Sequence, residues 1–90
     1  MNYTDMILGE KRTISLVVTS LDNDVFVITN ASYRLKLGDV VEDEGAALIE
    51  EERNLIVNVS PKNIGRYVLE FRMQIADEVV IRRFRIYVRK

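Results

Sequence analysis

The 90-residue chain predicts an all-β protein, an antiparallel sandwich or small barrel of seven or eight strands. Three observations carry this. Val (12), Ile (9) and Thr (4) supply 25 of the residues, a strand composition. Apolar residues recur at period two and never sustain a helical period. Turn signals interrupt these runs at short spacing, with no linker, repeat or low-complexity tract between them, as in a single domain over 1–90.

The elements follow in order. From Arg12, Ile14, Leu16 and Val18 share one face against Thr13, Ser15 and Thr19, with Val17 the exception. Tyr33, Leu35 and Leu37 alternate with Arg34 and Lys36, and Gly38-Asp39 reads as a two-residue type II′ turn that pairs strand 31–37 with 40–44. Asp43-Glu44-Gly45 and Glu51-Glu52-Arg53-Asn54 bracket a short strand at 46–50. Leu55, Val57 and Val59 alternate with Asn54 and Asn58, and Pro61, Asn63 and Gly65 mark the passage to the next long strand. There Tyr67, Leu69, Phe71, Met73 and Ile75 interleave with Val68, Glu70, Arg72 and Gln74. In the last strand Phe84, Ile86 and Val88 point inward and Arg83, Arg85, Tyr87 and Arg89 outward. An even loop around Ala76-Asp77-Glu78 keeps Leu69, Phe71, Phe84 and Ile86 on one face and brings Glu70 close to Arg83 or Arg85. Arg82 falls in the inward phase and belongs at the sheet margin with its head in water, or beside a bulge.

Composition narrows the chemistry. The absence of His and Cys excludes zinc, haem and copper ligation by those residues, Ser-His-Asp triads, Cys nucleophiles and disulfides. A chain this short holds one modest core and has little room for a deep pocket. Ser15, Ser20, Ser32 and Ser60 are present, but no Gly-x-Ser-x-Gly motif positions a nucleophile, so no enzyme and no cofactor is expected. No aliphatic or aromatic run is longer than the four residues of Val25-Phe26-Val27-Ile28, too short for a signal core or membrane span, and the expectation is cytoplasmic synthesis without a signal peptide. Three Asn-x-Ser/Thr triplets, at Asn2, Asn30 and Asn58, then read as turns and strand ends.

The net charge is −1, yet its distribution is uneven. Residues 39–52 hold seven acids and no base, and residues 79–90 hold five bases and no acid. The acids 42–44 and 50–52 lie on turns at separate ends of a short strand, without calcium-loop spacing, and serve solubility. Asp22-Asn23-Asp24 lacks the Gly and distal Glu of an EF-hand loop and reads as a turn. Arg83, Arg85, Tyr87 and Arg89 place guanidinium groups about 6.8 Å apart along one strand. That stripe fits a protein contact better than nucleic acid, because Arg and Tyr are favoured interface anchors and the chain as a whole is not basic. Its complementarity to the acidic segment permits self-association.

Asn63-Ile64-Gly65-Arg66-Tyr67-Val68-Leu69 resembles the turn into strand F of an immunoglobulin-like domain, with Leu69 where antibody domains place Cys. The resemblance implies a tyrosine corner built on Asn63, Gly65 and Tyr67, in which the ring enters the core and the hydroxyl reaches a nearby backbone group. It also implies Leu16 or Val18 in place of the other Cys, and Tyr33 or Leu35 in place of the core Trp. The order Gly9-Glu10-Lys11-Arg12, Ile28-Thr29-Asn30-Ala31-Ser32-Tyr33, Gly38-Asp39-Val40-Val41, Glu44-Gly45-Ala46-Ala47 and Gly65-Arg66-Tyr67 is similar to immunoglobulin-like domains of phages and prophages of Gram-positive bacteria, baseplate proteins among them. This implies an immunoglobulin-like sandwich and a non-enzymatic virion component that contacts other protein subunits, itself or its neighbours, through sheet edges and outward faces. A bacterial surface spacer or ligand-binding module from a longer chain is the alternative.

Overall fold

The computed structural model describes residues 3–18, 26–51 and 53–90. Among them are eight strands and no helix: β1 Tyr3–Ile7, β2 Arg12–Val17, β3 Ile28–Leu37, β4 Val40–Ala46, β5 Leu48–Glu50, β6 Asn54–Val59, β7 Gly65–Ile75 and β8 Glu78–Arg89. They form a five-stranded sheet in the order β1-β8-β7-β3-β4 and a three-stranded sheet in the order β2-β6-β5. Every pairing is antiparallel except that of β1, which runs parallel to β8. The described residues therefore form an all-β sandwich of two open sheets, and not a closed barrel.

The inward residues of both sheets make one core. Leu35, Leu55, Val59, Leu69 and Ile86 are fully buried, and Tyr67, Phe71, Met73 and Met6 nearly so. Each such side chain contributes about 1.5–3 kcal/mol relative to exposure. Of the positions expected to stand for Cys and Trp, Leu35, Leu69 and Val18 are buried, while Leu16 and Tyr33 are half-buried against the core.

Two hairpins set the register of the large sheet. Gly38 has φ +61° and Asp39 does not follow it to positive φ, the pattern of a type II′ turn between β3 and β4. The β7–β8 hairpin closes over Ala76 and Asp77, with Ile75 opposite Glu78. This even loop sets Leu69 opposite Phe84, Tyr67 opposite Ile86 and Glu70 opposite Arg83.

Four features depart from the sequence reading or extend it. The strand expected at 46–50 is divided: Ala46 closes β4, and Ala47 is buried with its N–H donating to the Ala31 carbonyl at 3.1 Å. The chain changes sheets at that residue, so β5 keeps only three residues. Strand β1 lacks an alternating apolar run, since Met6 is its one buried residue, and its place depends on a parallel ladder along β8. In β4, Leu35 lies opposite Asp43 but Lys36 opposite Val41, which leaves Glu42 as the extra residue of a bulge. Arg82 is exposed opposite Phe71 in an unbroken β7–β8 ladder, at the margin and without a bulge. Ser20, Asp22, Asn23, Asp24 and Glu52 lie outside the described residues.

Candidate functional site

Register assembles the outer face of the five-stranded sheet from four adjoining strands and the edge of a fifth. The stripe Arg83, Arg85, Tyr87 and Arg89 on β8 lies beside Arg66, Val68, Glu70 and Arg72 on β7. Arg34 and Lys36 on β3 continue these rows, opposite Glu70 and Val68. On the far side of β8, β1 brings Tyr3 beside Arg85 and Asp5 beside Tyr87. Among the described residues the face thus holds seven cations (Arg34, Lys36, Arg66, Arg72, Arg83, Arg85, Arg89) against three carboxylates (Asp5, Glu44, Glu70), although the whole chain is net negative.

The pairing on this face is partial. Glu70 accepts from Arg83 Nε at 3.1 Å and lies 3.9 Å from Lys36 Nζ. Glu44 is 3.3 Å from Arg34 Nε, and Asp5 is 3.3 Å from Arg89 Nη2. Among the described residues Arg66, Arg72 and Arg85 have no carboxylate within ion-pair distance. Tyr87 is the aromatic centre: its ring lies 5.3 Å from that of Tyr3, tilted by 46°, and the Arg66 guanidinium sits 5.8 Å above its centroid. Gly65, Arg66, Tyr87, Val88 and Arg89 line a shallow depression there, and Asn30, Ser32, Arg72, Met73, Gln74 and Val79 line a second at the other end of the face. Sequence spacing identified the β8 stripe alone; the cations of β3 and β7 join it through strand order, which no short-range signal encodes.

Asn63, Gly65 and Tyr67 come together at the end of the sandwich where β7 begins. Tyr67 is 1% exposed, and its hydroxyl accepts the backbone N–H of Asn63 at 3.1 Å. The same hydroxyl donates to Glu42 Oε1 at 2.6 Å. Glu42 also accepts from the Asn63 side-chain amide at 3.1 Å and from the Lys62 N–H at 3.2 Å. The β4 bulge thereby joins one carboxylate to the β6–β7 connection. Burial raises the Tyr67 pKa above the ordinary 10.0, and the hydrogen bond to Glu42 raises it further. Tyr33 is shifted the same way, by burial and by its 3.0 Å bond to Asp43. Gly65 has φ +147°, and a Cβ there would stand 2.9 Å from Leu37 Cδ1.

Among the described residues the acids of 39–51 do not converge. Glu42, Asp43 and Glu44 are directed to Tyr67, Tyr33 and Arg34 respectively, and among the described residues no group of three carboxylates is placed to hold a metal ion. Ser15 lies on the outer face of the small sheet opposite Ile56, Ser32 on that of the large sheet opposite Arg72, and Ser60 is exposed past the end of β6.

No family model and no curated protein matches the chain. Among solved structures, an engineered protein studied by the Northeast Structural Genomics Consortium is similar to it, with a TM-score of 0.78 and 10% sequence identity over 99% of this chain. The chain spans 18% of that protein's length, and at this identity the likeness is one of fold alone.

Proposed function

We propose that this chain is an immunoglobulin-like sandwich that acts as a non-enzymatic assembly module, docking to other protein subunits through the outer face of its five-stranded sheet. The observation that carries the reading is that face: seven cations on three neighbouring strands, three of them without an intramolecular carboxylate among the described residues, around the tilted ring pair of Tyr3 and Tyr87. Arg and Tyr are, with Trp, enriched among the residues that anchor protein interfaces. A protein partner is favoured over nucleic acid because carboxylates interrupt the array. Glu44 and Glu70 share one cross-strand row with Arg34 and Arg83, and Asp5 lies beside Tyr87, where a phosphate backbone would meet them. Mixed charge about an aromatic centre suits a protein surface of complementary pattern.

Strand order supports the immunoglobulin-like assignment. In such sandwiches a sheet of G, F and C, extended by C′, faces a sheet of B, E and D; β8-β7-β3-β4 and β2-β6-β5 run in that order. The Tyr67 hydroxyl bound to the Asn63 N–H supports the corner. The place we assign to the module is a phage or prophage virion, in the tail, baseplate or head decoration, on the resemblance of the Gly-Asp turn, Glu44-Gly45 and Gly65-Arg66-Tyr67 segments. A surface-type module within a longer chain is the second reading, and the engineered protein, of which the matched unit is 18%, shows that a sandwich of this shape can be embedded in a larger chain.

Particle fractionation tests the proposal. Virions induced from the strain that carries the gene and purified on a density gradient are expected to contain the protein, and Arg85→Glu is expected to lower its incorporation with the fold retained. Absence of the wild-type protein from the particles overturns the virion reading; undiminished incorporation of the variant overturns the role of the face.

A further inference from the structure

The upper half of β8 forms a different kind of surface. Strand β1 pairs with β8 only from Arg85 to Arg89, so along Glu78–Phe84 the side of β8 opposite β7 has no neighbouring strand among the described residues. Its backbone groups on that side are open to another strand. Val79 is 52% exposed and Ile81 39% exposed on the outer face of this stretch. Arg82, the inward-phase cation, has only the Ile81 carbonyl for its Nη1, and no ion pair among the described residues involves Asp77, Glu78 or Arg82.

The segment Asp77-Glu78-Val79-Val80-Ile81-Arg82-Arg83 is complementary to itself when reversed. We infer that two copies of the chain pair antiparallel along this edge of β8, centred on Val80. In that register Glu78 faces Arg82 of the second copy, Val79 faces Ile81, Asp77 faces Arg83 and Val80 faces itself, each unlike pair occurring twice by symmetry. Opposed residues have the same parity, so side chains from the two copies emerge on the same face of one continuous sheet. Opposite charges and apolar pairs directly across a ladder both stabilise it. An inward-pointing charge ordinarily blocks an edge, because it is left without a counter-charge in any added strand. Arg82 does so for every register except the one that brings a carboxylate opposite, and thereby selects this pairing. The pairing uses the sheet edge, shares only Arg83 with the cations of the outer face, and is tested at Glu78 and Arg82, which lie outside the docking surface proposed there.

Sedimentation velocity and native mass spectrometry across a wide concentration range test it. The wild-type mass is expected to double as concentration rises. Glu78→Arg sets Arg against Arg twice, Arg82→Glu sets Glu against Glu twice, and each is expected to weaken the dimer about tenfold or more. When the two variants are mixed, one chain carries only basic side chains at positions 78 and 82 and the other only acidic ones. Both cross-chain pairs are then opposite in charge, and a one-to-one heterodimer is expected where neither variant alone dimerises. The double variant E78R/R82E is expected to regain the homodimer, and all variants are expected to melt like the wild type because these side chains are exposed. A wild-type chain that stays monomeric throughout, single variants that dimerise undiminished, or a mixture that forms no heterodimer each overturns the inference.

Discussion

Replacing Tyr67 by Phe removes one hydroxyl that accepts the Asn63 N–H and donates to Glu42. The expected cost is about 1 kcal/mol at neutral pH with the fold retained, read from chemical denaturation. Because the folded Tyr67 pKa lies above its unfolded value, its hydroxyl contributes stability that is fully present below pH 10.0 and is lost as pH rises through the raised folded value. The gap between wild type and Tyr67→Phe is therefore expected to narrow in alkaline solution; a gap that stays constant to strongly alkaline pH would show that the hydroxyl does not titrate in this way. Glu42→Ala, which strips the hydroxyl, the Asn63 amide and the Lys62 N–H of a common acceptor, is expected to cost about 1–3 kcal/mol, more than Glu42→Gln, which keeps an acceptor oxygen. The Tyr67 ring was legible from period two and the Asn-x-Gly-x-Tyr spacing, since both are local. Glu42 was not, because a bulge in β4, 25 residues away along the chain, aims it at the hydroxyl.

Strands and their junctions have their own sensitivities. A Cβ at Gly38 would meet nothing within 4 Å, so only the φ of +61° resists a side chain there, and Gly38→Ala is expected to lose about 1–2 kcal/mol in a thermal melt. Gly65→Ala combines a φ of +147° with the close approach of Leu37 and is expected to cost about 1–3 kcal/mol. Gly45 is the contrast, since a Cβ there would meet the Tyr33 ring at 3.5 Å, an ordinary contact, without positive φ. A melt in which all three alanine variants behave alike would show that φ is not what separates them. Hairpins β3–β4 and β7–β8 were legible because adjacent strands joined by two-residue loops leave parity little choice. Strand β1 and the change of sheet at Ala47 were not, since one buried Met and one buried Ala carry no period.

At the scale of the molecule, the two sheets share a single core, and the buried Phe71 sits in the large sheet between Tyr33 and Arg82 of the flanking strands. Phe71→Ala is expected to cost about 3–5 kcal/mol, a large share of the stability of so small a domain, and to show as loss of cooperative unfolding. Retention of a wild-type melting temperature would mean that the core closes over the cavity. Strand content and the inward set of each long strand followed from composition and parity. The cationic face did not, because it arises only when β3, β7 and β8, from separate parts of the chain, lie side by side. The parallel docking of β1 has a consequence for synthesis. Of the described strands β1 leaves the ribosome first and β8 last, yet β8 is the strand that pairs with β1. Until Glu78–Arg89 has emerged, Tyr3–Ile7 has no ladder to join and β7 lacks one of its two neighbours. Closing the large sheet thus waits on the last of the described strands, and until then the nascent chain carries Tyr67, Leu69, Phe71 and Met73 on a strand that is open along one side.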